Sequence, residues 1–113
     1  MANAAVEFFE KHKADMAKMQ KEMPDVVTGF GALFGKLMKD GALTTREKEL
    51  VALGLAVALR CVPCINLHIE KCIGMGITRE QVLEAASVVV MMQGGPGFTY
   101  MPVVMDALDA LKK

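Results

Sequence analysis

Ten consecutive uncharged, apolar positions, Leu50 to Leu59, come two residues after Thr44-Thr45-Arg46-Glu47, with Lys48 and Glu49 between. This junction constrains the fold more than any other segment. In the order Thr-x-x-Glu the Thr44 hydroxyl can accept from the N–H of Glu47 while the Glu47 carboxylate answers the N–H of Thr44, the reciprocal pairing that opens a helix. A helix running from there to about Leu59 is apolar on every face over its last turns, which is expected of an element buried in a helical core. Gly54 would let a neighbour pack tightly against it. The run is too short to cross a bilayer, which takes about 20 residues.

The remaining chain also reads as helices, with no credible strand. Val6, Phe9, Met16, Met19 and Met23 recur among charges near a helical period, predicting an amphipathic helix from Ala2 to Met23. Pro24 suits the first turn of a second helix, Asp25 to Lys39, whose Gly29, Gly31 and Gly35 either weaken it or admit a close neighbour. After the helix ending at Leu59, a fourth runs from Val62 to Met75 with Gly74 and Gly76 as its stop. Thr78 and Gln81 form a second capping pair at the head of a fifth, which Gly94-Gly95-Pro96-Gly97 ends. A last helix, Phe98 to Lys112, carries Pro102 near its first turn. The expected architecture is all-α: one helical bundle of about six helices.

A chain of 113 residues suits one domain, residues 1–113, and a domain near this size buries about two-thirds of its unfolded surface. Lys plus Arg balance Asp plus Glu at 13 each. With no basic stripe or aromatic platform, nucleic acid is not an expected partner. Glu7, Glu10, Lys11 and Lys13 interrupt the first apolar positions, unlike a signal peptide. The expectation is a soluble cytoplasmic protein with no membrane contact and with thiols reduced at rest. Hydrophobic residues make up 53% of the chain and methionine accounts for ten, more apolar surface than one small core encloses, so a closed homo-oligomer is expected.

The chemistry concentrates in Cys61-Val62-Pro63-Cys64-Ile65-Asn66-Leu67-His68. A CxxC at a helix start sets its sulfurs near unsatisfied N–H groups and the positive dipole end, which favour thiolate. Cys64 and His68 are four residues apart, on one helical face with Cβ atoms about 5–6 Å apart. A redox dithiol with its own base is one reading. A zinc site is another: Cys61, Cys64, His68 and Cys72 nominally supply three sulfurs and one nitrogen. Closing such a site from one helix requires Cys61 to bend back. A purely structural use of the thiols is a third, and for Cys72 alone a small core residue is the expected role.

A carboxylate joins this group if the chain reverses around Arg60 to Val62. Glu49 would then lie about 16 Å back along one helix and His68 about 10 Å along the next, at 1.5 Å per residue, an offset side chains can span. Glu49 could equally be a solvated first-turn residue complementing the dipole.

Glu49, eleven residues, then Cys61-x-x-Cys64-x-x-x-His68 resembles the signature of the AhpD-like alkylhydroperoxidase branch of the carboxymuconolactone decarboxylase family. Leu43 to Leu50 before the motif and Gly76 to Ala85 after it resemble the same core, so the similarity covers about residues 40–95. The resemblance implies an all-α fold assembled as trimers or hexamers and a peroxidase-type dithiol without metal or organic cofactor. By the same resemblance Cys64 attacks the hydroperoxide, Cys61 resolves the sulfenic acid, and His68 and Glu49 relay the proton. A thioredoxin-like or lipoyl-bearing reductant would then reopen the disulfide. Electrostatics alone would favour Cys61 as the more reactive thiol. One departure is Pro63, which stands where the best-studied type carries a further histidine. The alternatives are a non-catalytic metal-binding or redox-sensing helical module and a lactone decarboxylase-like enzyme, whose branch usually lacks the CxxC pair.

Elsewhere, His12 between Lys11 and Lys13 reads as a solvated surface residue. Phe98 and Tyr100 read first as core, and otherwise as the lining of a pocket or a subunit contact.

Overall fold

The computed structural model describes residues 3–113. Among them it is helical throughout: α1 Ala4–Glu22, α2 Pro24–Leu37, α3 Thr45–Ala58, α4 Val62–Gly74, α5 Arg79–Gln93, α6 Gly95–Thr99 and α7 Met101–Ala110. Local chemistry sets most of these ends. Asn3 accepts from the Val6 N–H at 2.9 Å to cap α1, and Pro24 occupies the first turn of α2 where no N–H is needed. Both capping boxes form, Thr44 with Glu47 on α3 and Thr78 with Gln81 on α5.

The turn between α3 and α4 is closed by two backbone bonds, Arg60 N–H to Val57 C=O and Cys61 N–H to Ala56 C=O, both 3.0 Å. That pairing needs its first donor residue in the left-handed conformation, and Arg60 supplies it at φ 55°. The same bonding ends α4, where Gly76 takes the left-handed position at φ 82°. Each motif satisfies terminal carbonyls and reverses the chain abruptly, so α3 and α4 run back antiparallel. The Arg46 guanidinium on the first turn of α3 donates to the Met75 carbonyl at the end of α4 and holds that register.

The core is drawn from α3 (Leu53, Ala56, Val57), α4 (Ile65, Ile69, Cys72), α5 (Val82, Ala86, Val89) and α7 (Val104, Ala107, Leu108). Helix α1 adds Ala5 and leans Phe9 against the cluster. Helix α2 contributes no buried residue.

Several expectations are corrected. The apolar run on α3 is not enclosed: Val51, Leu55 and Leu59, one face at four-residue spacing, are 56%, 59% and 76% exposed. Helices α4 and α5 cover the Leu53, Ala56 and Val57 side, and among the described residues no helix lies across the other. Gly54 is not a close-approach point either, since a Cβ there would come no nearer than 4.0 Å to Val89. The close approach is at Gly97, where a Cβ would stand 3.0 Å from the Val89 carbonyl oxygen.

The last helix is divided at Tyr100, which caps α6 and precedes Pro102 on α7; proline offers no N–H to continue the ladder. Gly94, at φ 67°, ends α5, yet Gly95-Pro96-Gly97 starts a new turn instead of a loop. Phe98 on that turn is exposed, against the core reading, while Tyr100 packs partly on the core. His12 is half-buried with its ring stacked on Phe8, centroids 5.1 Å apart.

Candidate functional site

The antiparallel pairing of α3 and α4 brings together residues that the chain separates. Cys61 is the N-cap of α4, and its sulfur accepts from the Cys64 N–H at 3.3 Å. Cys61 and Cys64 are joined as a disulfide, Cα atoms 5.2 Å apart. Val62 and Pro63 between them are exposed, and Pro63 fits because the first helical turn leaves its N–H positions unpaired in any case. Both cysteines are half-buried. The dithiol therefore sits at the protein surface, on a helix start that lowers the cost of negative charge on sulfur.

One turn further along α4, His68 Nδ1 meets Glu49 Oε1 at 2.6 Å. Glu49 is 1% exposed, so the solvated first-turn reading does not apply to it. With the carboxylate oxygen as acceptor, Nδ1 is the donor in this pair, and Nε2 is the ring nitrogen that Glu49 does not engage. The arrangement fixes one edge of the imidazole, as a buried carboxylate does for a metal-bound or catalytic histidine.

Cys72, one further turn along, is fully buried. Burial pushes its thiol up to about 11, with the Glu49 carboxylate adding to the rise and Arg46 opposing it. A protonated, inaccessible thiol is a poor nucleophile and a poor ligand. Among the described residues no three of His, Cys, Asp and Glu converge as a metal ion requires, so the Cys61, Cys64, His68, Cys72 spacing does not become a cluster in space.

Two neighbours of the site lie outside the motif. Phe34 of α2 stacks on the His68 ring, centroids 6.4 Å apart and planes 19° apart, and the Lys71 ammonium lies 5.1 Å from the Phe34 centroid. No sequence signal marked Phe34, because its contact with His68 depends on how α2 folds back over α4.

Fold and site thus define an all-helical domain with a surface dithiol at a helix start and a buried carboxylate–imidazole pair behind it. The chain belongs to the carboxymuconolactone decarboxylase family, whose profile matches residues 24–113. It is similar over 99% of its length to a solved member of that family from Legionella pneumophila, covering 100% of that chain at 36% identity and a TM-score of 0.89. A solved Thermotoga maritima protein shares the fold at a TM-score of 0.80 and 24% identity, with 94% of this chain and 93% of that one aligned. Among sequences, an uncharacterized protein of Cupriavidus necator is 33% identical over 88 residues, 78% of either chain. An uncharacterized protein encoded in the cox locus of Paracoccus denitrificans is 29% identical over 89% of this chain and 91% of its own. No described helix is long and apolar enough to cross a membrane.

Proposed function

We propose that this protein is a thiol-dependent hydroperoxide reductase of the AhpD-like type. One observation carries the reading: a bonded Cys61–Cys64 pair stands one turn ahead of an imidazole that a buried carboxylate holds at 2.6 Å. Family membership adds weight, since the family includes peroxidases as well as decarboxylases. A cytoplasmic setting, where thiols are kept reduced, suits a catalytic pair better than a structural one.

The chemistry follows from the residues. His68 Nε2, its ring oriented by Glu49, takes the Cys64 proton directly or through one water. The thiolate attacks a peroxide oxygen, the O–O bond breaks, and the departing alkoxide takes a proton to leave as an alcohol. Cys64 is then a sulfenic acid. Cys61, whose N-cap place favours its thiolate, attacks the Cys64 sulfur and expels hydroxide, which leaves as water. The preference of electrostatics for Cys61 and the role of Cys64 as first nucleophile are compatible, because each thiolate acts in its own step. The disulfide then accepts two electrons by exchange from a thioredoxin-like or lipoyl-bearing dithiol.

The exposed apolar faces of α2, α3 and α5 support a homo-oligomer, trimer or hexamer, as the form in which the site works. Grooves on either side of Val51 and Leu55 run from Leu37 across to Met92, and charged groups are almost absent from them.

The test is peroxide consumption coupled to a regenerating dithiol. The Cys61→Ser protein is expected to accumulate a sulfenic acid on Cys64, seen by mass spectrometry after dimedone labelling, and Cys64→Ser to consume no peroxide. Label on Cys61 with Cys64 inert would exchange the two roles.

A further inference from the structure

We propose that Phe34 is a positioning residue for His68, fixing the plane of the imidazole that Glu49 anchors at one edge. The inference rests on the reading of His68 as the base for Cys64. The hydrogen bond from Nδ1 to Glu49 holds one edge of the ring, but torsion about Cβ–Cγ can still tilt its plane and with it the aim of Nε2. A second constraint is needed, and among the described residues Phe34 is the aromatic ring that stacks on the imidazole. The planes lie within 19° of each other at 6.4 Å between centroids, an offset stack that resists rotation and excludes water from that face.

Helix α2 sets this side chain against α4 while most of its length stays outside the core. None of its residues enters the core, and only Val27 and Phe34 are even half-buried. Its C-terminal end is pinned to α3 near Glu49: the Lys48 ammonium donates to the Leu37 and Lys39 carbonyls at 2.9 and 2.7 Å, and the Thr45 hydroxyl donates to the Met38 carbonyl at 2.9 Å. Phe34 lies one turn before that anchor. Lys71, one turn along α4 from His68, sets its ammonium against the same ring. Phe34 therefore meets two side chains of α4, His68 and Lys71, while the end of α2 is fastened to α3 by the neighbour of Glu49, Lys48.

The test separates an aromatic plane from mere bulk. Phe34→Leu keeps an apolar contact of similar size and Phe34→Tyr keeps the ring. In reduced, 15N-histidine-labelled protein, with only two histidines to assign, the His68 Nδ1–H is read by proton NMR and its solvent exchange measured. Phe34→Leu is expected to speed that exchange by roughly tenfold or more and to slow alkylation of Cys64 at neutral pH. Phe34→Tyr is expected to match the wild type in both. Unchanged exchange and alkylation in Phe34→Leu, or equal losses in Phe34→Leu and Phe34→Tyr, would overturn the proposal. Both measurements stand apart from peroxide turnover. A protein that consumed no peroxide, yet lost the slow proton and the alkylation rate only in Phe34→Leu, would refute the peroxidase reading and uphold Phe34.

Discussion

Glu49 Oε1 and His68 Nδ1 lie 2.6 Å apart on facing helices, and the carboxylate is sealed from solvent. Removing His68 would strand the buried Glu49 carboxylate, so the pair is an obligation of the fold as well as, in the function proposed, a device for proton transfer.

Glu49→Gln is the direct probe of that device. The amide can still bond the ring but cannot stabilise an imidazolium. Thiolate formation at Cys64 is expected to slow at neutral pH by roughly ten- to ten-thousand-fold, the range of general base catalysis. Iodoacetamide labelling across pH, followed by circular dichroism to verify the helices, checks it. An unchanged labelling profile would remove Glu49 from the mechanism.

Cys72 should stay silent under native conditions. With its thiol buried and pushed up to about 11, reduced protein at pH 8 is expected to take label on Cys61 and Cys64 alone, and on Cys72 only in guanidinium. The folded value lies above the ordinary 9.0 of a thiol, so the neutral form is the one the fold prefers. Its contribution to stability is whole below pH 9 and is lost as the pH climbs from 9 to about 11. Native labelling of Cys72 by mass spectrometry would contradict its burial.

Arg60 holds a left-handed backbone position at φ 55° without being glycine. Arg60→Gly relieves that conformation, partly offset by a freer unfolded chain, and is expected to stabilise the protein by about 0.5–1 kcal/mol. Urea midpoints read the change. A lower midpoint would mean that the Arg60 side chain contributes more to the turn than its backbone costs.

Two glycines invite opposite outcomes. A Cβ at Gly97 would press on the backbone of Val89 and Val90 at 3.0 to 3.1 Å, so Gly97→Ala is expected to cost about 1–3 kcal/mol. At Gly54 the nearest atom is 4.0 Å away in a helix interior, so Gly54→Ala is expected to gain up to about 1 kcal/mol. Thermal unfolding of the two variants side by side distinguishes packing from propensity. Equal shifts in the same direction would refute the contrast.

The helical class was legible because its signals are local. Thr44 and Glu47, Thr78 and Gln81, Pro24, and Gly76 act within a few residues of themselves, so a linear reading locates them. The Cys64–His68 spacing is also local, since four residues of helix place both on one face wherever that helix lies.

Everything that required two elements to meet was decided by tertiary structure. The burial of Glu49 depends on Arg60 reversing the chain, with Arg46 holding α3 against α4, and side-chain spacing could only say that the gap was bridgeable. The apolar Leu50 to Leu59 run looked buried because composition records how apolar a helix is and not how many neighbours cover it. In the fold two helices cover one side, leaving Val51, Leu55 and Leu59 outside. Phe34 left no trace in the sequence at all: one of two phenylalanines on a glycine-rich helix, it acquires meaning only when the fold sets its ring against His68.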